Sequence, residues 1–209
     1  MKFNDDKING LRECVSRSMS DFRFVHTAEV EKMAARIAEI YAPECIDIVR
    51  VAALLHDITK EYTVDEHIRM LQKYGETVSG LDRLSYKTLH ERTAPYAIKE
   101  KHPEFADSDV LLAVRYHTTG RANMSICEKI IFLADYIDMS RRFDDCIYLR
   151  SYFWNAEPQN MNNTERGRHL DKTLVLAFDL TIKALVDEQS PISVGSIEAR
   201  NHLLQDLNS

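Results

Sequence analysis

His56 and Asp57 close the run VAALLHD, and a carboxylate at the end of so apolar a segment must be paired, hydrogen-bonded or held by a cation. Other residues share this oddity. His26 falls on one helical stripe with Val30, Met33 and Ile37, His117 closes VLLAVRYH, and Asp135 sits inside IIFLADYI. His90 follows a mixed segment and stands before a helix end expected at Thr93-Ala-Pro95. Singly, each has an ordinary explanation, a satisfied core histidine or a helix cap. Four or five at apolar helix positions point to one shared internal partner. Imidazole and carboxylate without thiolate suit a divalent ion such as iron, manganese, cobalt or zinc. Two such ions bridged by a carboxylate need about this many ligands while leaving room for water and substrate.

Around this set lie candidates for holding phosphate. Lys60 is one helical turn after His56; its plain alternative is a solvated lysine paired with Glu61 or Asp57. Thr118, Thr119, Gly120 and Arg121 follow His117, a loop of hydroxyls, glycine and guanidinium suited to phosphate or ribose. A helix-terminating loop explains the same residues. Arg141 and Arg142 follow the Asp135 segment, one expected at the site and the other solvated. His67, His102, His169 and His202 lie among polar or charged residues and are expected at the surface.

The elements that position these residues are helices. Six glycines and five prolines in 209 residues leave few interruptions, and apolar residues recur at helical intervals from Phe22 to Tyr41. The stretch from Ile46 to His56 is apolar almost all round, as in a helix at the centre of a bundle. Thr63-Val-Asp-Glu66 and Ser125-Ile-Cys-Glu128 are capping boxes, and Asp107 or Ser108 caps a segment from Val110 to His117, with Gly120 as its stop. Helices are also expected over Leu174 to Leu185 and Ile197 to Leu207, and an exposed loop over the Asn-rich 155–168. The expectation is a single all-α bundle over 1–209.

Composition narrows the function. A net charge of -6 with no basic tract argues against nucleic-acid binding, although cations held at a site would still admit an anionic nucleotide. The four cysteines are scattered without a C-x-x-C pair and read as reduced thiols. The start MKFNDDKING has no apolar signal region and no apolar run spans a membrane, so a cytoplasmic protein is expected.

The order His26, His56-Asp57, Asp135 resembles the H…HD…D signature of the HD superfamily. HTAEVEKMA, AALLHDITKE, YHTTGRANMS, EKIIFLADYID and SIEARN together resemble its YqeK subgroup, the symmetrical diadenosine-tetraphosphate hydrolases, over about Phe24 to Leu204. The resemblance implies a helical HD fold with two metal ions, commonly iron. By motif position, His26, His56, Asp57 and Asp135 would bind the first ion, and Asp57 would bridge to a second completed by His90 and His117. Lys60, Thr118, Thr119, Gly120, Arg121 and Arg141 fall on positions near the nucleotide, with Asp57 and Lys60 as catalytic residues. The chain departs from the family at Asp138-Met139, where a Glu-Pro pair is usual, along 155–168, and at Ser193-Val-Gly-Ser196. These departures bear on substrate preference.

The expected reaction is attack of a metal-bridged hydroxide on phosphorus, cleaving diadenosine tetraphosphate to two ADP. The alternatives are an HD phosphatase of mononucleotides or another signalling nucleotide, and a non-catalytic nucleotide- or metal-binding regulator. A nucleotide is the expected partner, with neither nucleic acid nor membrane, and a homodimer is left open.

Overall fold

Capping side chains mark where the helices begin. In the computed structural model, which describes residues 2–209, Asn4 accepts from the Lys7 amide ahead of α1 (Asp5–Ser16), and Ser20 from Arg23 ahead of α2 (Asp21–Tyr41). The capping boxes at Thr63 and Ser125 open α4 (Val64–Lys73) and α8 (Ile126–Ile137), and Asp107 caps α7 (Ser108–Arg115). Each such cap stabilises its helix by about 1 kcal/mol. The remaining helices are α3 (Ile46–Leu55), α5 (Gly80–Leu84), α6 (Leu89–Lys101), α9 (Asp144–Asn155), α10 (Asn163–Asp187) and α11 (Val194–Asn208), and no strand occurs among the described residues.

Packing follows hydrophobicity. Helix α3 buries Val49, Val51, Ala52, Ala53, Leu54 and Leu55 completely and lies between α2, α7, α8 and α1, which is why it carries almost no polar face. Helix α8 buries Ile130, Ile131, Leu133, Ala134 and Ile137 against α2 and α7. Helices α10 and α11 pair with each other, and α10 continues onto α9 and α8.

Two local expectations need correction. Residues 155–168 are not one long loop. Helix α9 reaches Asn155, a 3-10 turn follows at Pro158–Asn160 with Pro158 buried, and α10 already begins at Asn163. The Asn-rich composition is cap chemistry, since Asn162 and Glu165 form a capping box. Helix α6 also does not end at Pro95 but runs through it. Pro95, inside the helix, removes one backbone bond without ending it, and His90 stands second in a helix that starts at Leu89.

Candidate metal centre

The five elements α2, α3, α6, α7 and α8 each deliver part of one buried cluster. His56 and His117 follow the ends of α3 and α7, and each turns its Nδ1–H back onto the carbonyl three residues earlier, Ala53 at 2.6 Å and Val114 at 2.7 Å. These bonds fix the tautomer and aim both Nε2 lone pairs inward. His26 comes from α2, with Nδ1 3.2 Å from the Ser140 hydroxyl and 3.3 Å from Asp138 Oδ2.

Asp57 stands between two groups of imidazoles. Its Oδ2 lies 3.8 Å from His26 Nε2 and 3.5 Å from His56 Nε2, while Asp135 Oδ1 closes that side at 3.0 Å from His26 and 3.9 Å from His56. Its Oδ1 faces His90 Nε2 at 3.3 Å and His117 Nε2 at 3.8 Å, and those two nitrogens approach to 2.9 Å. Four overlapping triads of donors are each close enough to ligate a single ion, and Asp57 belongs to two of them, His26–His56–Asp57 and Asp57–His90–His117; the others are His56–His117–Asp135 and His26–Asp135–Asp138.

The donor set suits a cation on grounds of hydrogen bonding alone. His56 Nε2 is buried without a hydrogen-bond partner. His117 has committed its proton to Val114, so its Nε2 directs a lone pair at the His90 ring. Buried polar atoms left in this state are costly, and a divalent ion bound by neutral imidazoles and carboxylates would satisfy them together.

Electrostatics agree. Burial pushes the Asp57 carboxyl up, but the imidazoles of His56 and His90 and the Lys60 ammonium outweigh it and hold the group ionised, well below the usual carboxylate range. Burial lowers His90 well below its ordinary value and takes His117 down to about 4, so both imidazoles are neutral. His26 differs. Burial lowers it, but the carboxylates of Asp135 and Asp138 prevail and raise it to about 9 while no cation competes.

The structure places the expected phosphate-binding residues unequally. Lys60 Nζ is 4.0 Å from Asp57 Oδ1 and 3.1 Å from His90 Nε2, and burial depresses its pKa. The Thr118 hydroxyl is 3.3 Å from His90 Nε2, and Arg141 Nη2 donates to Asp135 Oδ1 at 2.6 Å. Arg142 is not drawn into this network. Three loop residues have other partners. The Thr119 hydroxyl donates to Glu91 at 2.7 Å. Gly120, at φ +65°, packs where an added Cβ would meet Phe178 Cζ at 2.6 Å. Arg121 binds the fully buried Glu128 through Nε at 2.6 Å and Nη2 at 2.9 Å. The plain reading of a helix-terminating loop therefore explains Thr119, Gly120 and Arg121.

The surface assignment of the remaining histidines also needs correction. His67, His102 and His169 are buried, and only His202 is partly exposed. His67 Nδ1 meets the Thr93 hydroxyl at 2.8 Å, and His169 Nε2 donates to the Phe153 carbonyl at 3.0 Å. Polar sequence neighbours on other helix faces concealed their burial. None of the three joins the cluster.

Three residues around the cluster had no role assigned to them from the sequence. Arg23 Nη1 donates to Asp57 Oδ2 at 2.7 Å. Asp138 is fully buried and touches His26, Ser140 and Arg141. Glu91 accepts from the amides of Thr118 and Thr119 and thereby shapes the loop after His117. Helical spacing offered a signal for two of them. Arg23 is three residues before His26 and Asp138 three after Asp135, so each lies on the same helix face as a ligand.

A helical bundle with H…HD…D donors is the architecture of HD hydrolases, and comparison with known proteins agrees. The HD domain family matches residues 23–140, and the chain belongs to that family, whose members are metal-dependent hydrolases. The curated symmetrical bis(5'-nucleosyl)-tetraphosphatase of Halalkalibacterium halodurans is 31% identical over 92% of this chain and 94% of that protein. The protein of the same name from Staphylococcus aureus is 29% identical over 93% of each. The crystal structure of an HD superfamily hydrolase from Clostridium acetobutylicum, described as involved in NAD metabolism, superposes with a TM-score of 0.80 at 31% identity, covering 98% of both chains. No described helix is long and apolar enough to cross a membrane.

Proposed function

We propose that this protein hydrolyses bis(5'-nucleosyl) tetraphosphates symmetrically, the activity its relatives' names state of them, and that it converts diadenosine tetraphosphate to two ADP. The observation that carries the reading is the Asp57 carboxylate, whose two oxygens face separate groups of imidazoles. His26, His56, Asp57 and Asp135 would hold one divalent ion, and Asp57, His90 and His117 a second, with iron the leading candidate and manganese, cobalt and zinc the others. Such a pair supplies Lewis acidity that acidifies water and offsets the charge gathering on phosphate.

The protein's own groups do the positioning. Lys60 and the Thr118 hydroxyl stand over the His90 side and would orient phosphate oxygens. Arg23 and Arg141 stand over the Asp135 side, where their guanidinium groups hold carboxylates in the absence of a cation and would turn to polyphosphate in its presence. Burial of the cluster limits competing water. No side chain is required as a nucleophile. A net charge of -6 accords with a nucleotide rather than a nucleic acid partner, and a cytoplasmic location belongs to the same reading.

The test is product analysis with enzyme loaded separately with iron, manganese, cobalt and zinc. Two ADP per diadenosine tetraphosphate is the expected result, abolished in Asp57→Ala. ATP plus AMP, or orthophosphate from mononucleotides with no tetraphosphate cleavage, would replace the proposal.

A further inference from the structure

Helix α8 ends without a backbone closure of its own. The chain leaves it at Asp138 in an extended conformation, φ -59° and ψ 159°, and no backbone N–H of the following turn returns to its last carbonyls. Carbonyls orphaned at a helix end need donors from elsewhere. Arg150, midway along α9, supplies them. Its Nε donates to the Ile137 carbonyl at 2.7 Å, and its Nη2 to the carbonyls of Asp138 and, at 3.0 Å, Arg141. One guanidinium thus spans the whole turn from Ile137 to Arg141. Two nitrogens of a rigid plane meet three carbonyls, a pattern that the single nitrogen of lysine cannot reproduce.

The turn carries much of the Asp135 side of the site. Asp138 Oδ2 lies 3.3 Å from His26 Nδ1 and 3.4 Å from Arg141 Nε, and the Ser140 hydroxyl is 3.2 Å from the same His26 nitrogen. Arg141 Nη2 reaches Asp135 at 2.6 Å. Hydrophobic burial does little to hold the turn, since Met139 is 52% exposed and Phe143 69%. The carboxylate bonds of Arg141 are the ones it would exchange for phosphate. Arg150 instead grips backbone carbonyls that take no part in the chemistry, so its hold is the same with the site empty or filled.

We infer that Arg150 is a positioning residue for polyphosphate binding: from α9 it fixes the turn after α8 so that the Arg141 guanidinium stands where phosphate must lie. The inference rests on the reading of Arg141 as a phosphate-binding residue and adds what holds it in place. Arg150 touches neither substrate nor ion and acts only through the turn. Displacing a binding group by about 1 Å is enough to cost orders of magnitude in a site of this kind.

Calorimetric titration of inorganic tripolyphosphate into the metal-loaded protein tests this without turnover, with metal occupancy measured for each variant. Arg141→Ala should weaken binding by roughly ten- to a hundredfold, the loss of one charge-assisted contact. Arg150→Gln should weaken it by about five- to a hundredfold at unchanged occupancy. Arg150→Lys keeps the charge but not the fork and should behave in the same way, and it carries the test should Arg150→Gln not fold. The double variant Arg141→Ala/Arg150→Gln, or its Arg150→Lys counterpart, should bind within about twofold of Arg141→Ala alone, because the turn then has no guanidinium left to place. Losses that add in full overturn the inference, since they assign Arg150 a separate effect. So do unchanged affinity in Arg150→Gln, recovery in Arg150→Lys, a loss that follows metal occupancy, or a wild type that does not bind tripolyphosphate. Should wild type leave diadenosine tetraphosphate intact yet show the expected pattern, the proposed reaction falls and the positioning role stands.

Discussion

Arg121→Ala separates two readings of the loop after His117. If Arg121 holds substrate, its loss should weaken turnover by ten- to a hundredfold and leave stability alone. The structure supports the opposite. Both guanidinium bonds of Arg121 go to Glu128, a carboxylate with no solvent exposure, and the Arg121 side chain itself is 32% exposed. Breaking a fully buried pair costs about 3–5 kcal/mol. Here the figure must be reduced, because water reaches the arginine and Glu128 keeps its bond from the Ser125 amide at 2.7 Å. About 1.5–3 kcal/mol remains, the scale of a charge-assisted hydrogen bond. For a chain of this length each kcal/mol moves Tm by about 2–4 °C, so Arg121→Ala should lower it by about 3–12 °C. Calorimetry on Arg121→Ala, Glu128→Gln and the double variant should show a clear coupling energy. Well below the lowered Tm, kcat/KM should stay within about threefold of wild type. An unchanged Tm together with a tenfold or greater fall in kcat/KM would refute the structural role and return Arg121 to the substrate.

Three further outcomes are expected. His90→Ala should reduce metal content from two ions per chain to one tightly held ion, by elemental analysis, and turnover should fall by orders of magnitude; two ions with full activity would place His90 outside the ligand set. Asp138→Asn removes the carboxylate behind the His26 ring and should weaken the ion on that side by about 10–100-fold in chelator competition, an unchanged affinity being the contrary result. In metal-free protein, stability should peak near pH 6.5. Burial takes His67 and His117 down to about 4, so from 6.5 downward protons bind the unfolded chain and stability falls, whereas His26, raised to about 9, contributes fully below 6.5 and loses its contribution as pH rises through 9. A Tm that keeps rising as the pH drops below 6.5 would contradict this.

The ligand cluster was legible because burying charge in apolar helices is costly, and that cost is written in one dimension. His56-Asp57 after VAALL, His117 after VLLAVRY and Asp135 after IIFLA each break an apolar pattern, and together they have no ordinary explanation in common. What stayed hidden depends on partners distant in sequence or on the face of a helix. Arg121 resembled a phosphate ligand because Glu128 was already assigned to a capping box, and a carboxylate can serve both roles. His90, amid Lys87, Glu91 and Arg92, gave no apolar signal, since the first turns of α6 bury polar residues, Glu91 and Thr93 among them. Asp138 appeared only as a departure from a family pattern, although its spacing from Asp135 puts it one helical turn away. Burial of His67 and His169 needed tertiary contacts that no local window contains.

The direction of the helices gives the site a polarity of its own. Helices α3 and α7 both terminate at the cluster, His56 being the cap of one and His117 two residues beyond the other, whereas α6 begins there with His90 as its second residue. The aligned peptide dipoles leave roughly half a negative charge at each of the first two ends and half a positive charge at the third. Together with the carboxylates of Asp57 and Asp135, the converging C-termini form an electrostatic sink for cations and repel an approaching polyphosphate. The start of α6, beside Lys60, favours an anion. On this polarity, bound cations would reverse the local potential before a polyphosphate could settle, and the α6 side would be the favoured approach.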